Sequence, residues 1–254
     1  MAGVVVTHGE PPYAYLALSV VLAAVWLVLY AARPDLRRKV LGVSLGTMPL
    51  GLTEPLFVPG YWNPPTLWDL AHRTGFDLES LLFSFAIGGI VFSAYDVLVG
   101  AAPSESIAHE RGHRRHRYHV LAVLSAPLLF AVVMALTTMN PIYASALALV
   151  GGFLATLYCR PDLGGKMLVS GALFLAVYFI VFALFDLAFP GYVATVWNLP
   201  AISGVRLLGV PLEELMFAFT FGLYWSSVYE HLTWKRSRAA ASPAASGRAH
   251  DGAP

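Results

Sequence analysis

Two adjacent carboxylates, Glu213 and Glu214, follow Pro211 at the head of an apolar stretch, "PLEELMFAFTFGLYWSSVYE". Glu79 occupies the same place in a second apolar stretch, "DLESLLFSFAIGGIVFSAYD", behind Asp77. Glu54 in "GLTEPLF" and Asp186 in "ALFDLAF" lie near the ends of two further apolar runs. Carboxylates at membrane depth are costly and mark function by default. Neighbouring carboxylates in a poorly hydrated place resist joint ionisation, so one of them can hold a proton and donate it near neutral pH. Acids also favour helix N-termini for purely structural reasons, because they meet the free N–H groups and the dipole there. That accounts less well for a repeated position and for Glu213 beside Glu214. Phe83 and Phe217 fall one turn below Glu79 and Glu213 on the same helix face. Trp62, Trp68 and Trp197 lie in the segments between the runs. Aromatic rings there suit an interfacial belt, or the walls of an apolar pocket whose ring faces stabilise a cation.

The elements that would position these residues are membrane helices. Of the 254 residues, 57% are hydrophobic and 12% charged, against about 25% charged in a soluble domain. The mean hydropathy of +0.66 agrees. Apolar runs of roughly 20 residues are spanning candidates, and seven are found, at 12–32, 40–58, 78–100, 118–137, 142–159, 167–189 and 211–234. The first is too long for a signal-peptide core and has no basic residues before it, so a retained helix is expected. With the N-terminus outside, 14 of the 16 basic residues fall on the inner side and only Arg73 and Arg206 outside. That asymmetry favours an integral membrane protein with a cytoplasmic C-terminus. The net charge of +1 gives no argument for nucleic acid, and the single cysteine, Cys159, excludes an internal disulfide.

The chain also repeats itself. "RPDLRRKVL" (33–41) matches "RPDLGGKML" (160–168) at six of nine positions, and 77–96 matches 211–230 at eight of twenty without a gap. "VPGY" (58–61) echoes "FPGY" (189–192), and "TLWDL" (66–70) echoes "TVWNL" (195–199). The expected fold is all-α, with two parallel three-helix repeats joined by a linker helix. The first repeat is placed at 1–104, a cytoplasmic loop and linker span at 105–140, the second repeat at 141–234, and a disordered tail at 235–254. An odd number of spans per repeat would invert the second copy, and the linker span restores its orientation. Glu79 and Glu213 would then approach one cavity from the same outer side.

Other signals are weaker. "HERGH" (109–113) spells H-E-x-x-H, but it sits in an Arg-rich loop with Gly112 inside it and no third ligand. His116 and His119 follow in "HRRHRYH", and the remaining histidines are scattered. No metal site and no cofactor are expected. Seven spans suggest a retinal protein, yet Lys39, Lys166 and Lys235 all lie at inner edges, which argues against a buried Schiff base.

The stretch around Pro211, Glu213 and Glu214 resembles the Pro-x-Glu-Glu segment of the membrane-embedded, non-flavin carotenoid lycopene cyclases, which occur as paired small subunits or as fused chains. The duplication mirrors that pairing, so the resemblance covers most of the chain. In the first copy only Glu79 matches; Asp77 replaces the proline and Ser80 the second glutamate. The resemblance implies proton-initiated cyclisation of the acyclic end of lycopene or a related carotenoid. Glu79, Glu213 and Glu214 would be catalytic, with Glu54, Asp77 and Asp186 as supporting acids. Phe83, Phe217, Trp62, Trp68 and Trp197 would line the substrate pocket. The substrate would enter from the bilayer lipid, and a homo-oligomer or partner carotenoid enzymes fit the same picture. A homologue that only binds a carotenoid and a proton- or cation-coupled transport bundle are the alternatives.

Overall fold

The structure, a computed structural model, describes residues 11–100 and 105–236, without the side chains of His109, Glu110 and Arg236. Long helices dominate it. They are α1 (Ala14–Ala32), α2 (Arg37–Thr47), α4 (Leu78–Tyr95), α5 (His119–Leu136), α6 (Pro141–Cys159), α7 (Gly164–Ala188) and α9 (Leu212–Thr233), with short α3 (Leu70–Thr74) and α8 (Tyr192–Val196) in the loops. Five helical stretches among the described residues are long and apolar enough to cross a membrane: Ala14–Ala32, Leu78–Gly100, Arg114–Leu136, Pro141–Cys159 and Pro161–Ala188. The expected spans at 40–58 and 211–234 fall outside that set. The first is an 11-residue α-helix that tightens into a 3₁₀ helix over Met48–Leu56, where Pro49 and Pro55 cannot donate to a regular ladder. The second, α9, carries Glu213, Glu214 and Glu230 along its length.

Large apolar side chains face outward along the bundle, Val28 at 68%, Leu136 at 78% and Leu187 at 76% exposure. Such a surface is a liability in water and natural in lipid. Helix ends follow local chemistry. Asp77 caps α4 by accepting the Ser80 N–H at 2.6 Å, and Asn140 accepts the Ile142 N–H at the start of α6, with Pro141 at the first position. Helices α5 and α6 form a hairpin, α1 packs on α4, and α7 packs on α9.

The two "RPDL" segments fold alike. Each is a 3₁₀ turn opened by its arginine, at φ −128° for Arg33 and −133° for Arg160. Arg33 grips Asp35 with Nε and Nη2 (2.9 and 2.8 Å) and donates Nη1 to the Asp96 carbonyl. Arg160 grips Asp162 likewise (2.8 and 2.7 Å) and donates Nη1 to the Glu230 carbonyl. The loops meet across the bundle as well: Trp62 and Trp197 form an isolated antiparallel bridge, with Asn63 N–H on the Val196 carbonyl and Asn198 N–H on the Tyr61 carbonyl.

Of the expected tail, Lys235–Arg236 pairs as a two-residue antiparallel strand with Glu105–Ser106, and 237–254 lies outside the described residues. Lys166 is buried rather than at an open edge, in an ion pair of 2.8 Å with Glu230 and 3.7 Å from Asp96.

Candidate active site

A cavity of about 390 Å³ opens between α1, the 3₁₀ segment, α4, α5, α6, α7 and α9. Its walls are almost wholly apolar and aromatic, and two carboxylates reach it, Glu54 and Glu214. Glu214 is held by three donors: Tyr61 Oη at 2.6 Å, Tyr178 Oη at 2.7 Å and Trp197 Nε1 at 3.0 Å. Burial, and next the Glu214 charge, push the Tyr61 phenol well above its usual value. Its hydroxyl therefore stays a donor.

Glu54 sits differently. Its Oε2 accepts the Ser80 hydroxyl at 3.0 Å, and Ser80 Oγ in turn meets Tyr15 Oη at 2.9 Å. Its Oε1 is buried and has no hydrogen-bond partner among the described residues. Gly51, one turn earlier, makes this approach possible: a Cβ there would lie 2.6 Å from the Ser80 backbone. The position where the first copy lacks a second glutamate therefore still presents a carboxyl. Ser80 stands at the register of Glu214 and holds Glu54 in its place.

Phe83 and Phe217 line this cavity, as do Trp62 and Trp197, whose rings lie 5.2 Å apart. Four expected aromatic walls are thus brought together. Trp68 is not: it is 70% exposed, with φ at +57°, because the 66–70 loop turns it outward. The tryptophan that pairs with Trp197 is Trp62.

The remaining acids are turned elsewhere. Glu79 and Glu213 do not line the cavity, contrary to the expectation that they would face each other across it. Each accepts the N–H of a loop between helices: Glu79 Oε1 that of Leu67 at 2.8 Å, and Glu213 Oε1 that of Ser203 at 2.9 Å together with the Tyr143 hydroxyl at 2.6 Å. First-turn side chains one residue apart point about 100° apart on a helix, so Glu213 and Glu214 cannot share a direction. The second oxygens of Glu79 and Glu213 have no partner among the described residues. Asp77 serves as the α4 cap, and burial pushes its carboxyl above the usual range. Asp186 lies against the Gly209 turn, where a Cβ would fall 1.9 Å from its Oδ2. Gly209 has φ at +83°, so the contact needs glycine on both counts.

Tyr15, Tyr61 and Tyr178 were not singled out by type or spacing as partners of the acids. A lone tyrosine in the apolar run "LAVYFIVFA" was the available signal for Tyr178, since a buried hydroxyl needs a partner.

At the opposite end of the bundle, His116 and His119 meet Cys159, with ligand-type atoms all within 4.8 Å of one another. The sequence pairs His116 with His119 in one short loop but gives no sign of Cys159 as their partner.

Residues 140–232 match the lycopene cyclase family model. No curated protein and no solved structure matches the chain. The matched segment, a little over a third of the chain, contains α6, α7 and α9, hence Tyr178, Trp197, Glu213 and Glu214, and is similar to the lycopene cyclases.

Proposed function

We propose that this chain is a membrane enzyme that cyclises the acyclic end of lycopene or a related carotenoid by proton transfer, with Glu54 and Glu214 as its acid–base pair. The observation that carries the reading is that these two carboxyls, alone among the acids of the described residues, reach one apolar, aromatic-walled cavity. Glu54, with one oxygen unengaged, carries the proton and delivers it to the terminal double bond. The new C–H bond leaves a tertiary cation. A nearby double bond attacks it, forming the ring C–C bond and moving the positive charge into the ring. Glu214 takes a proton from the carbon beside the cationic centre, which restores a double bond, and a proton returned to Glu54 resets the pair. No electrons are gained or lost overall, and the proton count returns to its start.

Glu214, fixed by three donors, supplies fixed negative charge beside the cation, and the faces of Phe217, Phe83 and Trp197 add to it. An apolar lining excludes water, which would otherwise add to the cation. Glu79 and Glu213 act one step back, by fixing the outer loops that carry Trp62 and Trp197.

The same reading takes the protein as spanning the membrane seven times, N-terminus outside, as two parallel repeats. The matching Arg33–Asp35 and Arg160–Asp162 turns support it, as does the Trp62–Trp197 bridge. The substrate enters from the lipid, and no cofactor is required by the proton balance. In cells that accumulate lycopene, pigment chromatography of the wild type should show a cyclised product and Glu214→Gln should leave lycopene unchanged. Unchanged lycopene with the wild type would sink the proposal.

A further inference from the structure

The cluster at the far end of the bundle is independent of the cavity. Along α9, His231 lies 18 residues beyond Glu213, about 27 Å at the helical rise. His116 comes from the 3₁₀ turn Arg114–His116, His119 from the first residue of α5, and Cys159 from the last residue of α6. His116 Nδ1 lies 3.3 Å and His119 Nδ1 3.5 Å from Cys159 Sγ. A tetrahedral Zn²⁺, with bonds of about 2.0–2.1 Å to nitrogen and about 2.3 Å to sulfur, holds N and S donors about 3.6 Å apart. Both nitrogen–sulfur distances thus stand near that spacing, and the three donor atoms lie within 4.8 Å of one another. The thiol is 1% exposed and the His116 ring 5%, and both imidazoles use the same nitrogen toward the sulfur.

The surroundings are those of a held site. His119 stacks on Trp234 at 4.1 Å and meets the His231 ring edge-to-face at 4.4 Å. His231 is 1% exposed, and its Nε2 has no hydrogen-bond partner among the described residues. Arg115 Nε contacts His116 Nε2 at 3.3 Å; a metal on Nδ1 leaves the proton on Nε2, so this half-exposed arginine must swing outward on loading. Arg160 stays on Asp162.

We propose that His116, His119 and Cys159 form a site for a borderline-soft divalent cation of the Zn²⁺ class, with its fourth position left to solvent beside His231. Binding releases the Cys159 thiol proton to solvent, and the thiolate becomes the anionic ligand. The ion ties the loop before α5 to the end of α6, so its role is to staple the linker helix to the second three-helix unit.

The test uses the full chain purified in detergent without a polyhistidine tag, dialysed against Zn²⁺ and then against metal-free buffer. Elemental analysis should find one zinc per chain in the wild type and almost none in Cys159→Ser or His119→Gln. Chelation should lower the melting temperature of the wild type and leave that of Cys159→Ser unmoved. Should either variant fail to fold, Co²⁺ added to the wild type decides alone: a thiolate-to-cobalt charge-transfer band supports the site, and its absence overturns it. Zinc contents equal in wild type and folded variants would also overturn it, leaving the contacts as plain hydrogen bonds. Lycopene conversion is read separately in the same samples, so failure of one proposal is not failure of the other.

Discussion

Replacing Glu54 by glutamine separates the geometry found here from the one the motif suggests. The amide keeps an oxygen for the Ser80 hydroxyl now 3.0 Å from Oε2, and the volume is unchanged, so the fold should tolerate it. What is lost is the transferable proton. A positioned general acid contributes about 10²–10⁴-fold, or about 3–5 kcal/mol of barrier, so lycopene conversion by Glu54→Gln should fall by that factor. Glu79→Gln is the paired control. Its oxygen still accepts the Leu67 N–H, and the weakening of one charge-assisted bond costs about 1–2 kcal/mol of stability. Conversion should then stay within about tenfold of wild type. Both are measured as initial rates of product formation in membranes at matched protein levels. If Glu54→Gln keeps wild-type rates, or Glu79→Gln falls as far as Glu54→Gln, the assignment of the proton donor is wrong.

The other predictions concern the supports. Tyr178→Phe removes one of three donors from Glu214; a hydrogen bond to a charged group is worth about 1.5–3 kcal/mol, so conversion should drop by up to roughly 10- to 150-fold, and the melting temperature in detergent should fall by several degrees. Glu214→Gln, as above, should abolish the product in cells. Arg160→Ala should destabilise far more than Arg33→Ala in thermal melts in detergent. Arg160 is fully buried against Asp162, and losing one partner of such a pair costs about 3–5 kcal/mol. The Arg33–Asp35 pair is exposed and worth about 1 kcal/mol or less.

Composition and hydrophobic run length were enough to announce a membrane bundle, because apolar stretches of spanning length have few other uses. The doubled "RPDL" turn was equally legible: arginine, proline and aspartate at fixed offsets make a local structure that needs no distant partner. The acids at α4 and α9 could be picked out by type, and the aromatic walls largely so. Which acid faces the cavity was not legible. It turns on the 100° step between Glu213 and Glu214, on the prolines that tighten 48–56 and aim Glu54 inward, and on Gly51 letting that segment touch Ser80. Tyr61 and Tyr178 reach Glu214 from 153 and 36 residues away, and His116 reaches Cys159 across 43. Pairings at such separations are decided by how the helices pack, and local residue patterns carry no record of them.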